Sequence, residues 1–190
     1  MASNKMSRRE IRRRASGNRQ LVSRLVWGAA ALLVLAAISY GTWRAIRSKL
    51  GVRIPVMITK HIADGDQHDP YNSDPPTSGP HYGQPAQAGF YDEALPDEQL
   101  IHNLEHGYVV IWYNCTGLDE TACAALKTQI REVMNRAGLT KLIAVPRLSL
   151  PGAITATTWG RLYQPVALNA DELLEFIKEF RYKAPEPGAP

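Results

Sequence analysis

Two cysteines, three phenylalanines and four methionines are all that the 190 residues carry of those types, and no histidine follows residue 106. So little cysteine excludes a disulfide-dense miniature fold and an all-thiolate zinc module. Cys115 and Cys123 also stand too far apart for a Cys-x-x-Cys redox centre. Acids are scarce at the start of the chain: twelve of the 22 Lys and Arg lie at or before Arg53, with Glu10 as the one acid among them. From Ile54 onward ten basic groups face seventeen acids, a net of −7. The overall charge of +4 is therefore misleading. The larger part of the chain repels phosphate backbones instead of displacing counterions from them, which argues against nucleic acid as a partner.

Charge of either sign is missing from Leu25 to Trp43. About 20 apolar residues at 1.5 Å rise cross a bilayer core of about 30 Å, so this run reads as a transmembrane helix. Trp27 near one end, with Tyr40 and Trp43 at the other, stand where interfacial aromatics belong. Eight Lys and Arg precede the run and four follow it before Ile54. That asymmetry predicts a single-pass protein of the cell membrane, with a cytoplasmic N-terminus and an extracytoplasmic C-terminal domain. A cleaved signal peptide is the competing reading. The run exceeds a usual signal core, and no small-x-small site follows it before Trp43 and Arg44.

The resulting division is a basic cytoplasmic tail at 1–24, expected to be disordered or to lie on anionic lipid, a membrane helix at 25–43 and a juxtamembrane connector at 44–59. A globular domain follows at 60–183, with a tail at 184–190 expected to lack order. The domain opens on a Pro-, Gly-, Asp- and Asn-rich stretch from Lys60 to Gln87, whose paired His and Tyr among turn residues point to an ordered functional loop. A short helix is expected from Pro96 to Gly107, with acids in its first turn. Tyr108–Asn114 reads as a buried strand and Asp119–Ala137 as an amphipathic helix closed by Gly138. Two further strands are expected in KLIAVPR and AITATTWGRLY, joined by a turn at 150–152. A last helix is capped by Asn169, with Glu172 at the capping-box position. The expected fold class is α+β, a small mixed sheet with flanking helices, with a thioredoxin-like α/β sandwich as one form of it.

All five histidines fall between His61 and His106, and four form two clusters. His68 and His81 sit in the turn-rich loop, His102 and His106 on the first predicted helix at i and i+4. That spacing puts two imidazoles on one helical face, the geometry for a shared metal ion. Glu105 beside them suits a ligand, an orienting partner or a base. Folding the loop over this face would add His81, His68 or Asp69, and a set of imidazoles and carboxylate favours zinc or copper. Two other readings stay open. The histidines could staple a loop poor in hydrophobic core, within an interaction module of a membrane or envelope complex. Alternatively, His102–His106 spells H-x-x-E-H, the inverted zinc-peptidase spacing, with Glu105 as the base of a metal-dependent hydrolase. Cys115 and Cys123, an even pair in an extracytoplasmic domain, are expected to form a disulfide.

The motifs PPTSGPHY and HNLEHGYVVIWYNC resemble a family of bacterial membrane-anchored proteins catalogued as domain of unknown function 3105. The resemblance runs from about Asp69 to Phe180. It rests on Pro75, Pro76, Ser78, Gly79, His81, His102, Glu105, His106 and Gly107. It implies an N-terminal anchor and an exported domain, and carries no activity with it.

Overall fold

The computed structural model describes residues 8–48 and 50–189, which divide into two compact units, one up to residue 49 and one from Leu50 onward. The first is a single helix, α1 (Arg8–Ser48). Its stretch Val22–Trp43 is long and apolar enough to cross a membrane, at about 33 Å for 22 residues. The helix continues on both sides of that stretch, through residues expected to be tail and connector. Nothing in Arg8–Ser48 breaks it: the segment has no proline, and Arg, Ala and Leu, all strong helix formers, dominate. Residues 1–7 of the expected tail lie outside the described residues.

The second unit is an α+β fold. Its strands are β1 (Val52–Arg53), β2 (His61–Ile62), β3 (His81–Tyr82), β4 (Gly89–Phe90), β5 (Val109–Tyr113), β6 (Leu142–Pro146), β7 (Ile154–Thr158) and β8 (Arg161–Tyr163). Its helices are α2 (Asp97–Glu105), α3 (Glu120–Ala137) and α4 (Ala170–Phe180). Six strands form one mixed sheet in the order β1-β8-β7-β5-β6-β4, and β2 and β3 form a small parallel pair. β5 and β6 run parallel across α3, while β7 and β8 turn back antiparallel before α4. The run is thus strand, helix, strand, hairpin, helix, as an α+β fold built on a mixed sheet.

Alternation along β5 builds two cores. Val109, Ile111 and Tyr113 face α3 and α4, packing on Ile130, Val133, Met134, Leu173, Phe176 and Ile177. Val110 and Trp112 face the other way, onto Leu100 and Leu104 of α2 with Ile143 and Val145. The sheet is thus covered on both sides, and α2 packs on the second.

AITATTWGRLY, expected to be one strand, folds as two. It is a hairpin, because the chain reverses at Trp159-Gly160, where Gly160 takes φ +63°. The connector also contributes an edge strand, with Val52 opposite Leu162. Asn169 caps α4 by accepting from the amides of Asp171 and Glu172. The Glu172 carboxylate does not return to the cap; it accepts from the Tyr163 hydroxyl at 3.0 Å.

Candidate metal centre

The site is built on α2. His102, Glu105 and His106 recur at helical spacing on one face of it, while Asn103 between them faces the loop. The buried Asn103 amide donates to the carbonyl of Ala86 at 2.8 Å and accepts from its N–H at 2.9 Å. This two-point clamp fixes the end of the turn-rich loop on the helix. Further back along the loop, Met57 N–H donates to Ser78 Oγ, Gly160 N–H to the Thr77 carbonyl, and the Tyr71 hydroxyl to the Pro80 carbonyl. Gly79, at φ +131°, lies against the Tyr71 ring where a Cβ would come within 3.0 Å. A loop with little core of its own is thus ordered by hydrogen bonds, and it delivers His81 buried to 1% exposure.

β2 pairs with β3 so that His61 stands directly opposite His81. The His61 ring lies edge-on to His81 at 4.9 Å and stacks on His102 at 5.1 Å. Two sets of donor atoms result, each within 4.8 Å of one another: His61, His81 and His102, and His102, Glu105 and His106.

Backbone carbonyls decide the tautomers. His81 Nδ1 lies 2.8 Å from the Gly79 carbonyl and His102 Nδ1 lies 2.6 Å from the Tyr82 carbonyl. A carbonyl only accepts, so each Nδ1 carries the proton and each neutral ring keeps its lone pair on Nε2. His81 Nε2 is 3.0 Å from Glu105 Oε2, yet no hydrogen bond is aligned to it, and it is a buried polar atom without a hydrogen-bond partner. His102 Nε2 is 3.0 Å from His106 Nε2. His81 Nε2 and Glu105 Oε2 thus face each other as two acceptors, an arrangement that a cation between them relieves, whereas His102 and His106 share a ring-nitrogen hydrogen bond. Zinc–nitrogen bonds of about 2.0–2.1 Å place tetrahedral ligand atoms roughly 3.3 Å apart, close to these separations. Burial is the main cause lowering the His102 pKa, with the neighbouring imidazoles adding to it, so the ring is held neutral as a ligand must be. The donor set therefore fits a transition metal.

His68 is not brought to either donor set. Its Nε2 meets Glu98 at 3.1 Å, its Nδ1 meets the Asp69 carbonyl at 2.7 Å, and its ring packs on Tyr71. It fastens the loop to the start of α2, the stapling role that competed with metal binding. The Glu98 carboxylate, before all else, raises the His68 pKa. A raised folded pKa adds stability below the ordinary value of 6.5, and that stability is lost as pH rises through the folded value. His68→Gln is therefore expected to destabilise more at about pH 5.5 than at about pH 8, read by urea unfolding. Equal losses at both would show that the pair does not titrate.

Residues that the sequence reading did not assign complete the surround. Lys141, at φ +54°, is buried and donates to the carbonyls of His106 (2.7 Å), Pro187 (3.0 Å) and Ala189 (2.5 Å). Glu186 N–H donates to the Glu105 carbonyl, and its carboxylate lies 3.6 Å from His106 Nε2. Residues 184–189, expected to lack order, are thereby laid along the exit of α2. Cys115 and Cys123, away from the site at the start of α3, sit at disulfide distance with Cα atoms 5.3 Å apart.

Fold and site together define an α+β domain carrying a His/Glu cluster on a short helix against the sheet. The family model described as Protein of unknown function (DUF3105) matches residues 62–190, more than half of the chain, and the chain belongs to that family. No curated protein and no solved structure matches it.

Proposed function

We propose that this protein is a membrane-tethered, extracytoplasmic metal-binding protein holding zinc or copper within the cluster of His61, His81, His102, Glu105 and His106. The single observation that carries the reading is the buried His81 Nε2, which has no hydrogen-bond partner and faces the Glu105 carboxylate. An unpaired buried polar atom costs about 1–3 kcal/mol, and a metal ion removes that cost. Copper or zinc is favoured over magnesium or calcium because the donors are mainly imidazoles. The membrane part rests on the apolar stretch Val22–Trp43, the excess of basic residues before it, and the cysteine pair at bonding distance.

Elemental analysis of the full chain purified in detergent is expected to find stoichiometric zinc or copper. The doubly substituted His102→Ala/His106→Ala protein, folded by circular dichroism, is expected to hold none. A metal-free parent, still empty after reconstitution with both ions, would return the histidines to a scaffolding role.

A further inference from the structure

The two donor sets share one residue. His102 belongs both to the trio with His61 and His81 and to the trio with Glu105 and His106. Its Nδ1 is committed to the Tyr82 carbonyl, so Nε2 alone has a lone pair to offer. One lone pair serves one ion. Five donor residues therefore cannot make two complete sites at once.

The trios also differ in access. His61 is exposed, whereas His81, His102 and His106 are buried and the Glu105 side chain is only 12% exposed. An ion arriving from solvent meets His61 first. The parallel register that sets His61 opposite His81, and its stacking on His102, place this exposed imidazole at the mouth of the cluster.

Resting on the metal-binding reading above, we propose that the cluster is two overlapping positions for one ion, pivoting on His102. The outer position is made by His61, His81 and His102. The inner one is made by His102, Glu105 and His106. The ion passes between them by ligand exchange: bonds to His61 and His81 break as bonds to Glu105 and His106 form, while His102 stays attached. Each exchange replaces one dative bond by another, so the ion's oxidation state is unchanged. The bound metal is then cargo that is taken up and handed on, not a closed structural plug.

The test uses the full chain in detergent, titrated with zinc and discharged to a coloured chelator. The parent is expected to bind one equivalent. His102→Asn, whose amide can still donate toward the Tyr82 carbonyl, is expected to bind none. His106→Ala should keep one equivalent at the outer position, weakened roughly 10- to 100-fold. His61→Ala should load and discharge about tenfold more slowly, with its Kd within about threefold of the parent's, because an entry ligand speeds both directions alike. Two equivalents in the parent would overturn the proposal. So would His61→Ala exchanging at the parental rate, or discharging faster with weaker binding as an ordinary ligand of one site would. His106→Ala as empty as His102→Asn would remove the outer position. A parent that takes up no metal would instead remove the metal reading itself, and this proposal with it.

Discussion

Zinc at about a thousandfold excess over its dissociation constant is expected to stabilise the globular unit by about 4 kcal/mol, and the gain is expected to vanish in His102→Asn. The magnitude follows from mass action. The donors come from β2, β3 and α2, and only folding brings them together. Almost all of the binding free energy then appears as folding free energy. For a chain of this length each kcal/mol moves the midpoint by about 2–4 °C, so Tm should rise by about 8–16 °C. Among the described residues no exposed ion pair competes with that: Arg136–Asp171 at 2.9 Å is of a kind worth about 0–1 kcal/mol. The measurement is thermal unfolding with zinc and again after chelation. His68→Gln should keep the whole gain, because His68 is tied to Glu98 outside both donor sets. The gain should shrink on acidification, since protons compete with the metal for imidazole nitrogen. His102 resists that competition because burial already disfavours its charged form. A parent whose midpoint ignores zinc and copper would refute the reading.

Part of this was legible in the sequence for definite physical reasons. β5 is a continuous apolar run buried on both faces, and α3 and α4 each carry a helical apolar stripe with a capping residue before it. Those signals are local and survive without tertiary knowledge. The reversal at Trp159-Gly160 was not legible, because apolar and β-branched residues continue on both sides and only the φ of Gly160 marks the turn. Strands of two residues have no period to detect. Their existence depends on partners far along the chain, as β1 depends on β8.

The site divides in the same way. The i, i+4 spacing of His102 and His106 is a property of any helix, so it could be read directly. His68 was read as a further ligand beside His81 because both sit in the same turn-rich loop. The structure separates them: Glu98, at the start of α2, claims His68, while the Gly79 carbonyl orients His81 inward. His61 gave only the weak signal of lying within the histidine-bearing stretch. Its contribution depends on a parallel strand register that no local pattern encodes. The same holds for residues 184–189, whose proline-rich composition reads as disorder and whose carbonyls are gathered by the buried Lys141 ammonium.

Gly107→Ala is expected to be among the most damaging single substitutions, lowering stability by about 3 kcal/mol and Tm by roughly 6–12 °C. Two effects act together. Gly107 has φ +81°, a left-handed conformation that costs an L-residue roughly 1–2 kcal/mol. An added Cβ would also lie 2.8 Å from Tyr182 Cα and 3.2 Å from its nitrogen, which is backbone and cannot rotate away. Overpacking of that kind costs about 1–3 kcal/mol more. Relief requires the crossing segment to move, and Tyr182 N–H is bonded to the Gly107 carbonyl at 2.8 Å. The disturbance falls on the residue directly after His106, whose carbonyl is held by Lys141. Metal affinity should therefore fall together with stability, although no ligand has been removed. Gly117→Ala is the control. It has nearly the same φ, +80°, but nothing lies within 4 Å of its added Cβ, so only the conformational cost applies. The two variants should differ by about 1–3 kcal/mol in urea unfolding, and only Gly107→Ala should weaken zinc binding. If they are equally stable and bind zinc equally, the crossing at Gly107 plays no part in holding the site.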